Sequence, residues 1–463
     1  MDFSQFSHIF WSVPTNEVPA ADWWIDVLRA FVRILVPVFF VLLLVPPLVW
    51  FERRLLGFMQ QRQGPNRVGP EGIVQTIADG VKLLMKEDII PSNVDRTLYV
   101  LAPIIMLIPA LVTAGVLPWH PSLVWGAGAP NVDIGVLYLL AWSSLAVYGV
   151  VMAGWASNNK YALLGGLRSS AQMISYELGM GIAVVTVVLI SGALSVRDIV
   201  FDQSAYGWIK DAAHTTAHHA AYTWGIVHKP WLGFLNPWHV AQFFPMGFVA
   251  AFIYVVAMLA ETNRSPFDLP EAETELVAGY HTEYTSMKFA MFFMGEYANM
   301  VVVSAIAATL FFGGWTTPIA QLDQWDNTAV GWIIPAAMIS AKIGLGLYFF
   351  VWIRATLPRI RYDMLMSFGW KGIFPIALGN LFCVAVSLTA GYWAGLAVWI
   401  VLAVGALLIV ANLDSTKRFT EKTRRRSVLG LYASAQPFQM PLVKTSNGAP
   451  PVDGRTAAEE LVK

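Results

Sequence analysis

The chain has 463 residues, of which 56% are hydrophobic and 13% are charged, and equal numbers of acidic and basic residues give a formal net charge of zero. A soluble fold cannot bury so much apolar surface, so the composition predicts an integral membrane protein. The balanced charge gives no sign of nucleic-acid binding. The single cysteine, Cys383, lies in an apolar run, which argues against a disulfide framework and a cysteine-ligated cluster.

Nine apolar stretches are long enough to cross a bilayer. In chain order they are residues 29–50, 97–117, 133–155, 173–193, 241–260, 287–312, 331–353, 373–389 and 394–411. The last two share one apolar run, in which AGYWAG at 390–395 supplies a tight turn. We therefore predict an all-α, polytopic membrane helix bundle over residues 29–411. It follows an outer segment at 1–28 and precedes a tail at 412–463 whose polar composition predicts disorder.

Lysine and arginine are concentrated in alternate connectors. The connector at 51–96 contains seven of them, whereas those at 118–132, 313–330 and 390–395 contain none. Because basic residues accumulate on the cytoplasmic side of membrane proteins, we expect the basic connectors to be cytoplasmic and the amino terminus to lie outside. Nine membrane helices then place the basic tail inside, whereas eight would not.

The first cytoplasmic connector contains a predicted amphipathic helix. Apolar residues recur there at helical spacing, at Ile73, Ile77, Val81 and Leu84. Charged residues such as Asp79 lie between them, so the helix is expected at the membrane interface rather than across the bilayer. It is either a surface anchor or the lip of an opening through which an amphiphilic molecule enters.

The connector at 261–284 is unusually acidic for a membrane protein. Its six acidic residues are Glu261, Asp268, Glu271, Glu273, Glu275 and Glu283. Asp268 and Glu271 have the spacing of a helix capping box, and a helix continuing from there would place Glu271 and Glu275 on one face. Like charges this close raise one another's pKa, which would make them proton carriers near neutral pH. The alternative is a solvated acidic loop with ordinary pKa values, since most charge runs are of this kind.

Three charged residues lie inside predicted spans. Glu177 is expected about one turn inside the fourth helix, Glu296 within the sixth, and Lys342 about midway along the seventh. A charge at such depth costs a few kcal/mol, so it normally faces a partner or a water-filled cavity. These residues are therefore predicted to mark a proton or ion path, with a purely structural pairing as the alternative.

The connector at 352–371 is basic. Membrane topology alone accounts for most of its charge. An electrostatic contact with the acidic connector is a second interpretation, compatible with the first.

The sequence contains no convincing site for a metal or a redox cofactor. His214 and His218 in the outer connector at 194–240 have i, i+4 spacing, but no nearby set of carboxylates and cysteines completes a site, so we expect a solvated loop. There is no dinucleotide fingerprint, Walker A sequence or CxxC motif, and no histidine deep in a span to ligate haem. We therefore predict no metal, no catalytic residue and no covalently bound cofactor in this chain.

Four long segments carry most of these features: ERRLLGFMQQRQGPNRVGPEGIVQTIADGVKLLMKE, GWASNNKYALLGGLRSSAQMISYE, AETNRSPFDLPEAETELVAGYHTEYTSMKFAMFFMGEY and IRATLPRIRYDMLMSFGWK. Together they resemble the quinone-site membrane subunit of respiratory complex I, the NADH:quinone oxidoreductase, which is called the H subunit in bacteria and is the counterpart of mitochondrial subunit 1. The resemblance extends roughly from Leu42 to Leu388.

The resemblance implies a tilted bundle of eight membrane helices, to which this chain adds a ninth, and a narrow quinone chamber that opens to the bilayer. The quinone, ubiquinone or menaquinone, is the implied substrate and is reduced by an iron–sulfur cluster of a neighbouring subunit. The implied residues of the chamber and the acidic connector are Arg53, Arg62, Asp79, Glu261, Arg264, Asp268, Glu271, Glu273 and Glu283. The resemblance also implies a charged path that contains Glu177 and Glu296. We add Lys342 to this path because it lies deep in a predicted span.

The implied partners are the peripheral iron–sulfur subunits and the antiporter-like membrane subunits of the complex, in the plasma membrane of a bacterium with the tail in the cytoplasm. Quinone reduction consumes protons and creates negative charge, so nearby carboxylates are expected to couple it to proton translocation. The long outer connector and the helix beyond Thr389 depart from the family pattern.

Two alternative functions stay open. One is the homologous membrane anchor of an energy-converting hydrogenase or of another donor-dependent quinone reductase. The near-complete quinone-site motifs argue against the hydrogenase form. The other is a stand-alone ion transporter, which the basic connectors disfavour because they suit docking to soluble subunits.

Overall fold

The computed structural model describes residues 23–119, 134–203, 244–268, 278–317, 329–406 and 408. Outside these ranges lie Glu271, Glu273 and Glu275 with the predicted capping box, the histidines at 214 and 218, and the tail at 412–463. The chain divides into two compact units, Met1–Trp399 and Ile400–Lys463. The helices described below, as far as Ala390, belong to the first unit.

The described ranges are helical and contain no strand, which confirms the predicted all-α bundle. In chain order the helices are α1 (Trp23–Met59), α2 (Gln75–Met85), α3 (Arg96–Ala114), α4 (Gly135–Ala156), α5 (Lys160–Ser191), α6 (Val196–Asp202), α7 (Met246–Glu261), α8 (Ser286–Phe311), α9 (Ala329–Thr356), α10 (Tyr362–Phe368), α11 (Phe374–Ala390) and α12 (Tyr392–Ala406). Short 3-10 turns form at Pro70–Gly72 and Gly279–His281, and a π-helical turn at Gly369–Ile373 joins α10 to α11.

Within the described chain, six helical segments are long and apolar enough to cross a bilayer: α3, α4, α5, α8, Ile333–Thr356 of α9, and the joined α10 and α11. Helices α7 and α12 are shorter apolar helices, and α1 has 37 residues. Each of the nine predicted spans overlaps one of these helices. The predicted turn before α12 is confirmed at Gly391, whose φ of 96° favours glycine.

Helix α5 begins earlier than the predicted span at 173–193. It starts directly after Asn159, whose side chain caps the first turn. Glycines allow its first turns to pack tightly, since a Cβ on Gly165 would lie 2.7 Å from the Cα of Gly279. Glu177 therefore lies near the middle of the helix, and the prediction that it lies about one turn inside is wrong. Residues 160–172, which precede the predicted span, are therefore helical, and small residues such as Gly165 and Gly166 are buried on one side of this helix.

Helix α8 is the most buried of the six long apolar segments, and every residue from Met300 to Phe311 is buried. It packs against α1, α3, α7 and α9. Lipid tails are as apolar as its side chains, so close packing and internal hydrogen bonds rather than removal from water stabilise such a bundle. This position at the centre of the bundle buries Glu296.

Helix α2 confirms the predicted amphipathic helix. Ile77 and Leu84 on its apolar side are 59% and 63% exposed. On its other side, Asp79 pairs with Arg53 of α1. The apolar face of α2 is therefore available to lipid or to an amphiphilic molecule.

Candidate functional site

A buried carboxylate on α1 was not singled out by the sequence. Glu52 is only 3% exposed. Its Oε1 forms a short ion pair with Nη1 of Arg354 on α9, and its Oε2 accepts a 2.7 Å hydrogen bond from the hydroxyl of Tyr297 on α8. In the sequence Glu52 directly follows a predicted span, where a charged residue is normally solvated. Two helices and a connector that are remote in sequence enclose it, so only the fold distinguishes it from its neighbour Arg53.

Arg264 lies between two carboxylates. Its Nη1 is 3.8 Å from Oε1 of Glu52, and its Nη2 is 4.0 Å from Oε2 of Glu296. The guanidinium carbon also lies 4.4 Å from the centre of the Tyr297 ring. A guanidinium stays protonated in a protein, so a buried arginine requires negative partners and aromatic contacts of this kind. Arg264 therefore joins the charges of α1 and α8 within the protein interior.

Glu296 receives its contacts from the end of the acidic connector. The hydroxyl of Tyr280 donates a 2.9 Å hydrogen bond to its Oε1, and Nε2 of His281 lies 3.9 Å from the same oxygen. Burial lowers the pKa of His281 to about 3, so the imidazole is neutral at physiological pH. Its contact with Glu296 is therefore not an ion pair. We call the set comprising Glu52, Arg264, Tyr280, Glu296, Tyr297 and Arg354 the Arg264 cluster.

Two adjacent cavities lie in the bundle beside this cluster. One is lined by Glu296, and the other extends to Tyr254 on α7. Both share the polar lining residues Thr113, Ser143, Glu261 and Asn299. Each offers about 20 Å³ to the centre of a water molecule, which is room for about one water.

Glu261 lies where the two cavities meet. It is 5% exposed, and Asn299 forms a hydrogen bond to its side chain. Its Oε2 is buried and has no hydrogen-bond partner among the described residues, and the same holds for Oδ1 of Asn263 in the first cavity. Buried polar atoms that lack a protein partner and line a cavity large enough for a water molecule are the usual binding positions of internal water. The half-buried Glu177 is close enough to Glu261 for their charges to repel.

The acidic and basic connectors meet at Asp268 and Arg359. The Oδ2 of Asp268 lies 3.1 Å from Nη2 of Arg359, and the N–H of Ile360 donates to the carbonyl of Pro266 at 3.1 Å. This contact confirms the predicted electrostatic pairing of the two connectors. Farther along, Glu283 accepts a 2.7 Å hydrogen bond from the side chain of Asn159.

Arg53, Asp79 and Arg62 of the first connector do not belong to the Arg264 cluster, although their neighbour Glu52 does. Nη1 of Arg53 is 2.6 Å from Oδ2 of Asp79, and the amide of Gln75 donates to Oδ1 at 3.1 Å. Partial burial raises the pKa of Asp79, but these hydrogen bonds outweigh it, so the pKa lies below its ordinary value. Arg62 is exposed and donates a 2.7 Å hydrogen bond to Gln60.

Lys342 does not join the Arg264 cluster. Its ammonium donates to three backbone carbonyls that follow α8, at 2.6 Å to Phe312, 2.8 Å to Gly314 and 2.6 Å to Thr316. These carbonyls lie at the carboxyl end of α8, which favours a cation there. The other end of the same helix is nearer to Glu296. Lys342 thus caps the end of α8 remote from the cluster.

Comparisons with known proteins identify the family. The profile of the family described as NADH dehydrogenase matches residues 32–385. The chain is 42% identical over 374 residues to the second H subunit of NADH-quinone oxidoreductase from Koribacter versatilis, covering 78% of this chain and 96% of that protein. It is 47% identical over 337 residues to the H subunit of NADH-quinone oxidoreductase from Rickettsia canadensis, covering 73% and 87%. Its identity to the protein of the same name from Magnetococcus marinus is 45% over 337 residues, covering 73% and 84%. The chain therefore belongs to the NADH dehydrogenase family, within the group formed by the H subunits of NADH-quinone oxidoreductase.

Proposed function

We propose that this chain forms the quinone chamber of a proton-translocating NADH:quinone oxidoreductase and couples quinone reduction to proton movement. The observation that carries the proposal is the buried Arg264 cluster, whose Glu296 lines the same cavity as the buried Glu261. Buried carboxylates and guanidiniums cost free energy, and in membrane proteins such groups commonly belong to ion or proton paths. The names of the relatives support NADH as the donor of the whole complex and a quinone as the substrate.

The chamber is proposed to lie between α1, α2, α8 and the acidic connector. The exposed apolar face of α2 suits an amphiphilic quinone, ubiquinone or menaquinone, that arrives through the bilayer. The paired Arg53 and Asp79, with Arg62, are proposed to line its opening. An iron–sulfur cluster in a neighbouring subunit supplies the electrons, and this chain positions the quinone and exchanges protons near it.

We propose that protonation changes pass from Glu296 through the cavities to Glu261 and onward to Glu177. Reduction of a quinone consumes protons and places negative charge near the acidic connector. A carboxylate that gains or loses a proton alters the electrostatic free energy of the next one, so the change can travel along the row. Asp268, Glu271, Glu273 and Glu283 belong to the same proposal. The contacts of Lys342 support a structural cap instead of a place on this path.

The partners in this proposal are the peripheral iron–sulfur subunits, which dock on the basic and acidic connectors, and the antiporter-like membrane subunits. The proposed location is the plasma membrane of a bacterium, with the amino terminus outside and the carboxyl terminus in the cytoplasm. Copurification tests the alternatives, because a member of the complex brings iron–sulfur subunits with it and a stand-alone transporter does not. A hydrogenase anchor would bring a hydrogen-oxidising partner in place of an NADH-oxidising one.

The proposal is tested with Glu296→Gln and Glu261→Gln in native membranes, after the assembled complex has been quantified. Each change keeps the side-chain shape and removes the exchangeable carboxyl proton, so quinone-dependent NADH oxidation and membrane-potential formation are expected to fall together by about tenfold or more. The matched control is Asp198→Asn, because Asp198 is an exposed carboxylate on α6, outside both the proposed proton path and the connectors proposed for docking. Normal coupled turnover in both glutamine variants would refute the proposed path.

A further inference from the structure

A segment that runs from the end of the acidic connector into the first turn of α8 contacts both Glu296 and the end of α2. We call residues 280–288 the strap. At its beginning, Tyr280 is fully buried and donates its hydroxyl hydrogen bond to Glu296. At its end, the strap becomes the first turn of α8 at Ser286. The strap therefore contacts the Glu296 carboxylate directly and also leads into the helix that carries this residue.

Ser286 connects the strap to the last turn of α2. Its hydroxyl lies 2.9 Å from the carbonyl of Leu83 and 2.9 Å from that of Lys86. Carbonyls at the end of a helix lack partners within the helix, so the hydroxyl satisfies groups that would otherwise need water. Ser286 is 5% exposed and has a φ of 55°, in the left-handed region that residues other than glycine rarely adopt. Strained backbone persists where surrounding contacts hold it, and here the hydroxyl shares its one proton between the carbonyl of Leu83 in α2 and that of Lys86 directly after it.

Two neighbouring residues strengthen this connection. The hydroxyl of Thr285 accepts a 3.2 Å hydrogen bond from the N–H of Ile89 and lies 3.4 Å from the carbonyl of the same residue. Nζ of Lys288 is 2.6 Å from Oδ2 of Asp88. The chain directly after α2 is thus bound to the strap through backbone and side chain.

The middle of the strap is fixed to α3. The rings of Tyr284 and Tyr99 are stacked with their centres 4.2 Å apart and their planes 6° apart. The hydroxyl of Tyr99 also donates a 2.6 Å hydrogen bond to the carbonyl of Glu283. The middle of the strap is thus held on α3, while its two ends contact Glu296 and the end of α2.

We propose that Ser286 and Thr285 are positioning residues that transmit the position of α2 to the Glu296 carboxylate. A quinone that displaces α2 pulls on the first turn of α8 and on the strap, and the strap changes the hydrogen bond between Tyr280 and Glu296. The inference rests on the proposed function, because it assigns α2 to the quinone opening and Glu296 to the proton path. It adds a mechanical connection that the row of carboxylates does not provide.

The first measurement is hydrogen exchange of the backbone amides of residues 79–89 in the intact complex. Ser286→Ala and Thr285→Val each remove a hydroxyl that binds this region, so exchange is expected to become about fivefold faster for each hydrogen bond lost. Two controls match them. Thr282→Val removes a strap hydroxyl whose partner within the described ranges is the carbonyl of Gly279 at 2.6 Å and not α2, and Thr285→Ser keeps the hydroxyl. Both controls are expected to exchange at the parent rate, and unchanged exchange in Ser286→Ala and Thr285→Val would overturn the proposal.

The second measurement is the number of protons translocated per NADH oxidised, with KM for a quinone determined on the same membranes. Ser286→Ala and Thr285→Val are expected to raise KM and to lower the proton ratio, and Thr285→Ser is expected to restore both. If exchange accelerates while KM and the proton ratio keep their parent values, the strap is only structural and the inference fails. Failure of the proposed function is recognised separately, because Glu296→Gln would then keep normal coupled turnover.

Discussion

The guanidinium of Arg264 lies 3.8 Å from the carboxylate of Glu52, although the two residues come from the connector after α7 and from α1. The same guanidinium lies 4.0 Å from Glu296. One arginine is thereby shared between two buried carboxylates. The side chain that keeps Glu52 in place also influences the carboxylate from which the proposed proton path begins.

Replacing Glu52 with Gln is expected to destabilise the assembled complex. The change leaves Arg264 and Arg354 without their common carboxylate, and breaking a buried pair of charges costs about 3 kcal/mol or more. The thermal midpoint of the purified complex measures this effect. Glu71→Gln is the matched control, since Glu71 pairs with Arg54 but is 66% exposed, and an exposed pair contributes about 1 kcal/mol or less. Equal midpoints for the two variants would show that the buried position of Glu52 has no energetic importance.

Tyr297→Phe is expected to lower stability more than Tyr254→Phe does. The hydroxyl of Tyr297 donates to a carboxylate at 2.7 Å, whereas that of Tyr254 donates to the backbone carbonyl of Val303 at 3.2 Å. A hydrogen bond to a charged group contributes about 1.5–3 kcal/mol and one between neutral groups about 1 kcal/mol. Chemical unfolding of both variants in the same detergent compares them. The reverse order would indicate that Glu52 is not charged in the folded protein.

His281 is expected to contribute to loss of stability in acid. Its folded pKa of about 3 lies below the ordinary value of 6.5, so the unfolded chain binds more protons between these values. Stability from the neutral imidazole is complete above about pH 6.5 and decreases as the pH falls toward 3. His281→Gln should therefore reduce the difference in thermal midpoint between pH 7.5 and pH 5. An unchanged difference would mean that His281 is not the responsible group.

Lys342→Met tests whether Lys342 stabilises the end of α8 or takes part in proton transfer. The variant removes the donor of three carbonyls after α8, which should destabilise the complex by about 2 kcal/mol or more. The proton ratio of the complexes that assemble should equal that of the parent. The relevant measurements are the thermal midpoint and the number of protons moved per NADH. A lower ratio in fully assembled complex would place Lys342 on the path after all.

Gly165→Ala is expected to disturb the Arg264 cluster from a distance. A Cβ at this position would meet the backbone of Gly279 at 2.7 Å, so the turn that carries Tyr280 and His281 must move. Gly181→Ala on the same helix is the control, because its Cβ would have no neighbour within 4 Å. That variant should be neutral or more stable by about 0.5–1 kcal/mol, since alanine favours helix. Assembly and coupled turnover of the two variants provide the comparison.

The sequence by itself determined the class of protein and the position of the helices along the chain. It also identified the charged residues that lie inside apolar spans or are concentrated in one connector. These properties depend on the composition of each segment and on the spacing of its apolar residues, and both can be read from that segment without knowledge of the rest of the fold. Apolar length predicted the spans, and the spacing of Ile73, Ile77, Val81 and Leu84 predicted α2. The excess of carboxylates at 261–284 indicated the region of the site before any contact was known.

Tertiary structure decided which charges meet. Glu52 resembles any residue at the end of an apolar span, and it becomes a central residue because α8, α9 and the connector after α7 enclose it. Lys342 and Glu296 are both charges inside predicted spans, yet one caps backbone carbonyls and the other faces a tyrosine and an arginine. The spacing of apolar residues and the composition describe one helix at a time. Which charged side chains pair depends on how each helix is rotated about its axis and shifted along it when the helices pack. That information lies in contacts between residues far apart in the chain.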